Sequence, residues 1–100
     1  MDIQGSKGGT QKWAGTWVVV QVLQRWRKTV GAVIAAAIRD SDRKQNQVAQ
    51  AVGMSENVLS EIVQGHRKTE LGEIVMIARA INEDPMVLIR RMLSWHSTKP

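Results

Sequence analysis

Residues 45–65 read QNQVAQAVGMSENVLSEIVQG, and their spacing decides the fold. Two apolar-periodic segments flank Gly53-Met54-Ser55, a break too small to be an independent loop. In the first segment Val48, Ala49 and Val52 stand at i, i+1 and i+4; in the second Leu59, Ile62 and Val63 stand at i, i+3 and i+4. Each set lines one face of a helix. Gly53 suits a left-handed helix end, and the Ser55 hydroxyl suits the N-cap of the next helix. Helices this short cannot stand alone, and so tight a turn forces them to cross steeply. The spacing therefore predicts a helix-turn-helix with its second helix over residues 55–64.

The same reading extends outward. Val30, Val33, Ile34, Ala37 and Ile38 follow i, i+3, i+4, i+7, i+8 and predict a helix over about 29–40, with Arg39 favourable to its dipole. Beyond the pair, Gly65 is the expected helix end and Gly65-His66-Arg67-Lys68-Thr69 a loop. A fourth helix is expected over about 70–81, with Leu71, Ile74, Val75, Ala78 and Ile81 facing inward. A fifth opens with Asp84 as N-cap and Pro85 at its first position, and carries Leu88, Ile89, Met92 and Leu93 to about Trp95.

The leading residues are less clear. Residues 1–12 are polar and Gly-rich and read as a loose arm. The valines after Trp17 favour a strand by propensity. Yet Val19, Val22, Leu23, Trp26, Val30 and Val33 also fit one helical stripe, and no other strand signal exists to pair with. A helix is the expectation there.

Composition bounds the chemistry. With 100 residues, 43% hydrophobic and no cysteine, the chain suits one small domain packed from helices alone, without disulfides or thiolate metal sites. The net charge of +5 makes a polyanion a reasonable partner. Its distribution is uneven: residues 1–40 carry +4, residues 41–70 carry zero and the remainder +1. The paired helices are thus neutral, and the excess lies ahead of them. No run reaches the roughly 18 apolar residues of a membrane span. The short apolar run before Arg25-Trp26-Arg27-Lys28 has the reverse order of a signal peptide.

Taken in order, the chain has a helix, then Q-x-x-V-A-x-x-V-G-M-S, E-N-V-L-S-E-I-V-x-G, a basic loop, a helix ending A-x-A-I, and a helix opened by D-P. This pattern resembles the phage-repressor/Cro-like (XRE-type) helix-turn-helix DNA-binding family over roughly residues 30–93. The resemblance implies an all-α, five-helix DNA-binding domain over 29–95, with an N-terminal extension or arm (1–28) and a short tail (96–100). It implies a transcription regulator whose recognition helix enters the major groove of double-stranded DNA, as a homodimer at least on DNA. It implies no cofactor, no small-molecule ligand, no membrane, and a place in the cytoplasm of a bacterium or phage-infected host. With no second domain expected after the fifth helix, regulation would follow occupancy and concentration.

The family pattern also implies roles. Gln45 would bond a phosphate, aided by its backbone N–H at a helix N-terminus, with Arg43 and Lys44 just ahead of it. Ser55, Glu56, Asn57 and Ser60, with Glu61 one turn on, would face the bases. His66, Arg67 and Lys68 would lie along the backbone. Glu56 and Glu61 depart from the commoner Gln, Arg or Lys, and phosphates repel them. They can accept from cytosine N4, while Asn57 can pair bidentately with adenine.

Plainer readings stand beside these. Glu56 complements its own helix dipole wherever it faces. Ser55 is an N-cap under any function, and Arg67 and Lys68 are also ordinary surface charges. His66 and His96 lie far apart in sequence without an acidic partner, so no metal site is expected. No nucleophile elbow or phosphate-cradling glycine motif is present, so an enzyme is not expected. The methionines after the first read as core filler or helix-edge packing.

Trp13, Trp17 and Trp26 precede the recognisable domain and Trp95 ends it. Three readings remain open for them: an intermolecular interface, an arm along DNA with Arg25, Arg27 and Lys28, or an extension of no consequence. The first keeps alive a different class of function. In that alternative an antitoxin-like or adaptor protein acts mainly through protein contacts of the Trp-rich arm.

Overall fold

A continuous α-helix, α1 (Gly8–Asp40), begins the computed structural model, which describes the backbone of residues 8–98 and the side chains of residues 18–94. The expected arm and first helix are therefore one element from Gly8 onward. Extending a formed helix costs far less than starting one, so the firm segment after Val30 carries its predecessor along despite the glycines and valines. Four helices follow: α2 (Gln45–Val52), α3 (Glu56–Val63), α4 (Leu71–Ala80) and α5 (Pro85–Thr98). No strand occurs among the described residues. The last helix runs past Trp95, taking residues expected in the tail.

The helix ends obey local chemistry. Asp84 Oδ1 accepts from the Met86 N–H at 2.9 Å and caps α5. At the end of α2, Gly53 has φ 86°, with the Met54 N–H donating to Ala49 O at 3.0 Å and the Gly53 N–H to Gln50 O at 3.2 Å. The same closing pattern ends α4, where the left-handed residue is Asn82 with φ 59° and the Glu83 N–H donates to Ala78 O at 2.8 Å. That Asn was not foreseen as a helix end, although Asn is the usual second choice after Gly.

The core lies where α1 crosses α3 and α5, α2 packs on α3 and α4, and α4 packs on α5. Val30, Val33, Ile34, Ala37 and Ile38 are buried as their period requires, together with Val48, Leu59, Ile62, Ile74, Ala78, Leu88 and Met92. Two inward assignments are corrected. Leu71 is 65% exposed and Leu93 is 55% exposed, whereas Ile77, absent from the expected stripe, is fully buried. Leu71 is the first residue of α4, at the end of the apolar stripe. Met76 and Met86 are likewise exposed, whereas Met92 is buried in the core and Met54 packs partly buried against it.

Gly31 sets the α1–α3 crossing. A Cβ there would collide with the Ile62 carbonyl oxygen and lie 2.7 Å from that of Val63. Only glycine lets the C-terminal carbonyls of α3 approach so closely. On the other side of this crossing α1 leaves the core: Val18, Val19, Val20, Val22 and Leu23 are all exposed. A radius of gyration of 17.2 Å, against about 13 Å for a compact chain of this length, records the projection.

Candidate nucleic-acid interface

The N-terminus of α2 is open. Lys44 occupies its N-cap without a side-chain hydrogen bond, because an ammonium has no lone pair to offer the first-turn N–H groups. Gln47 Oε1 folds back instead onto the Lys44 N–H at 2.9 Å. The positive end of the helix dipole, with half-buried Gln45 and exposed Lys44 and Arg43, is therefore available to an anion. Arg43 shares its shallow hollow with Asp42, Gln47 and Gln50.

α3 is held at both ends and along one face. Ser55 Oγ accepts from the Val58 N–H at 3.2 Å, and Leu59 and Ile62 are fully buried. At its end Gly65 takes φ 76°, the Gly65 N–H donates to Ile62 O at 3.0 Å, and the His66 N–H donates to Glu61 O at 2.9 Å. The caps set where the helix begins and ends, and burial of Leu59 and Ile62 sets which face it turns outward.

On that outer face the five residues expected to read bases separate into three kinds. Ser55 is the N-cap. Ser60 is half-buried and its Oγ accepts from Gln64 Nε2 at 3.0 Å, while Glu61 lies 3.6 Å from the Arg67 guanidinium. Glu56 and Asn57 are exposed, with no hydrogen bond or ion pair among the described residues. The first turn of α3 thus offers two unengaged polar side chains, and the second turn offers engaged ones.

The loop after α3 has two sides. Arg67 and Lys68 share a hollow with Glu70 and Glu73, so their charge is partly offset. His66 instead faces α1, in a hollow lined by Gln21, Gln24, Arg25, Arg27, Lys28 and Gly65. Gln21 and Gln24, which line this hollow, were not singled out from the sequence. Trp26 packs partly buried against the core. The side chains of Trp13, Trp17 and Trp95 lie outside the described residues. No cluster of His, Asp or Glu that could hold a metal occurs among the described residues, and none of the described helices is long and apolar enough to cross a membrane.

The sequence profile of a helix-turn-helix family matches residues 34–88, from the last two turns of α1 into α5. No curated protein sequence matches the chain. Two crystal structures of the clp gene regulator ClgR from Corynebacterium glutamicum share the fold. One has a TM-score of 0.67 at 17% identity, covering 72% of this chain and 77% of that one. The other has a TM-score of 0.68 at 16% identity, covering 74% of this chain and 96% of that one. At such identities the likeness concerns the path of the backbone.

Proposed function

The chain belongs to the XRE-type helix-turn-helix family of DNA-binding regulators, and we propose that it is a sequence-specific, double-stranded-DNA-binding transcription regulator of the phage repressor or Cro type, with α3 as the reader in the major groove. One observation carries this reading. A helix fixed by its cap, its buried face and its Gly65 end presents Glu56 and Asn57 outward without internal partners. Asn57 has the donor–acceptor pair that matches adenine N6 and N7, and Glu56 can accept from cytosine N4. Gln45 with the open α2 N-terminus, Lys68, and Arg43 and Lys44 supply backbone contacts. The protein acts in the cytoplasm of a bacterium or phage-infected host, as a homodimer on a pseudo-palindromic site, and without a small-molecule effector.

Selection of bound duplexes from a random pool tests the reading, and enrichment of a motif is the expected result. Asn57→Ala then relaxes preference at one position by about 1–3 kcal/mol, while Lys68→Ala weakens all sequences alike. If Asn57→Ala leaves affinity and preference unchanged, α3 is not the reader.

The exposed apolar residues of α1 favour a second reading, an antitoxin-like or adaptor protein acting through that helix. Replacing Val19, Val22 and Leu23 by Ser in the full chain separates the two. Loss of partner binding with DNA binding intact supports the adaptor; an unchanged interaction profile removes it.

A further inference from the structure

We propose that the hollow between α1 and the α3–α4 loop is a second phosphate-binding site, which grips the backbone of the same duplex flanking the sequence read by α3. The proposal rests on α3 being the reader. Gln21, Gln24, Arg25 and Lys28 stand at i, i+3, i+4 and i+7, which places four hydrogen-bond donors on one stripe of α1. Arg27 and His66 complete the lining, and no carboxylate contributes to it.

The lack of a carboxylate distinguishes this hollow. Arg67 and Lys68 have Glu70 and Glu73 beside them, and Arg43 has Asp42. Arg25, Arg27 and Lys28 have no ion pair among the described residues. Three uncompensated cations held side by side repel one another, and an external polyanion relieves that repulsion.

Position supplies the rest. A Cβ on Gly65 would lie 2.8 Å from both Cα and Cγ of Lys28, so the loop that ends α3 rests directly on the basic stripe. A DNA backbone touching this loop meets Lys28 next, and then Arg25, Gln24 and Gln21. The stripe from residue 28 back to 21 covers about 10 Å of helix, the length of about three base-pair steps. The helix-turn-helix unit itself, residues 41–70, has no net charge with which to hold DNA. In this arrangement α3 selects the sequence and α1 supplies much of the salt-sensitive affinity.

The test compares the intact chain with Arg25→Gln/Lys28→Gln on the duplex enriched by selection. Both side chains are exposed and glutamine is a good helix former, so circular dichroism and melting temperature should match the parent. The expected result is a salt slope smaller by about 2, from about 0.9 per phosphate lost, with base preference retained. Hydroxyl-radical protection should shorten on the flank of each half-site. Arg25→Lys should keep the slope, and Arg90→Gln/Arg91→Gln on α5 should leave the flank protected.

Unchanged slope and footprint in the double variant overturn the proposal while leaving the reader intact. An equal loss in the α5 control reduces the effect to net charge and also overturns it. Weaker retention on heparin with unchanged duplex binding assigns the hollow to another polyanion, with the same consequence. If the intact chain enriches no duplex at all, the reading of α3 fails first and the proposal falls with it.

Discussion

Residues 18–23 of α1 include four valines and a leucine, exposed by 38–57%, while Val30, Val33, Ile34, Ala37 and Ile38 further along the same helix are at most 5% exposed. Both stretches are apolar at helical spacing and both are helical. One is buried where α1 meets α3 and α5, and the other is left largely exposed. Periodicity therefore specifies which face of a helix is apolar, but whether that face is covered depends on where the chain places its other elements. Burial of an aliphatic side chain is worth about 1.5–3 kcal/mol, so the two ends of α1 differ by several such contributions.

The largest effect expected follows from this contrast. Ile34→Ala should destabilise by about 2–5 kcal/mol through lost burial and a residual cavity, read as a fall in urea midpoint. Val19→Ala should change stability by less than about 0.5 kcal/mol. If the two shifts are comparable and depend on protein concentration, the projecting end is covered in solution and the contrast belongs only to the single chain.

Gly31 sits at the junction of the two regions and sets two effects against each other. Helix propensity alone makes Gly31→Ala stabilising by about 1 kcal/mol. The Val63 carbonyl oxygen at 2.7 Å from the new Cβ opposes this, and being backbone at a helix end it cannot swing aside. Sterics should win, with a net loss of about 1–3 kcal/mol and a melting temperature several degrees lower. A rise in melting temperature would mean that α1 and α3 cross less closely than described.

How much could be read beforehand follows from the kind of force involved. The Gly53 and Gly65 ends, the Ser55 and Asp84 caps and the stripe from Val30 to Ile38 rest on neighbours within a few residues, and all were legible. The burial of Ile77, the exposure of Leu71 and Leu93, and the need for Gly31 depend on contacts between distant elements, which periodicity does not encode. At the interface the chemistry of each residue was legible but its engagement was not. Ser60 is occupied by Gln64 and Glu61 by Arg67, and the basic stripe of α1 gains its meaning from Gly65 lying on Lys28.

A smaller effect separates local from distant determinants. Ser55→Ala removes the acceptor of the Val58 N–H and should cost about 1 kcal/mol of stability, while Ser55→Asp, which keeps an acceptor, should cost far less. Equal losses for both would show that the hydroxyl matters for packing and not as a cap, and would remove one of the restraints that fix the outer face of α3.

The smallest stability effect carries the sharpest distinction. Glu61 and Arg67 are 3.6 Å apart with side chains 53% and 47% exposed, and a pair so solvated is worth about 0.2–1 kcal/mol at most. Glu61→Gln should therefore barely move the melting curve. Its effect on DNA should be larger and opposite in sign: a carboxylate that repels phosphates is gone, and the Arg67 guanidinium is released to bind one. Affinity for every duplex should rise, with the salt slope steeper by about 1. A base-reading Glu61 gives the contrary result, because losing its acceptor weakens binding and relaxes preference at one cytosine. The direction of that single change decides whether the second turn of α3 reads DNA or only tempers how tightly the loop beside it holds on.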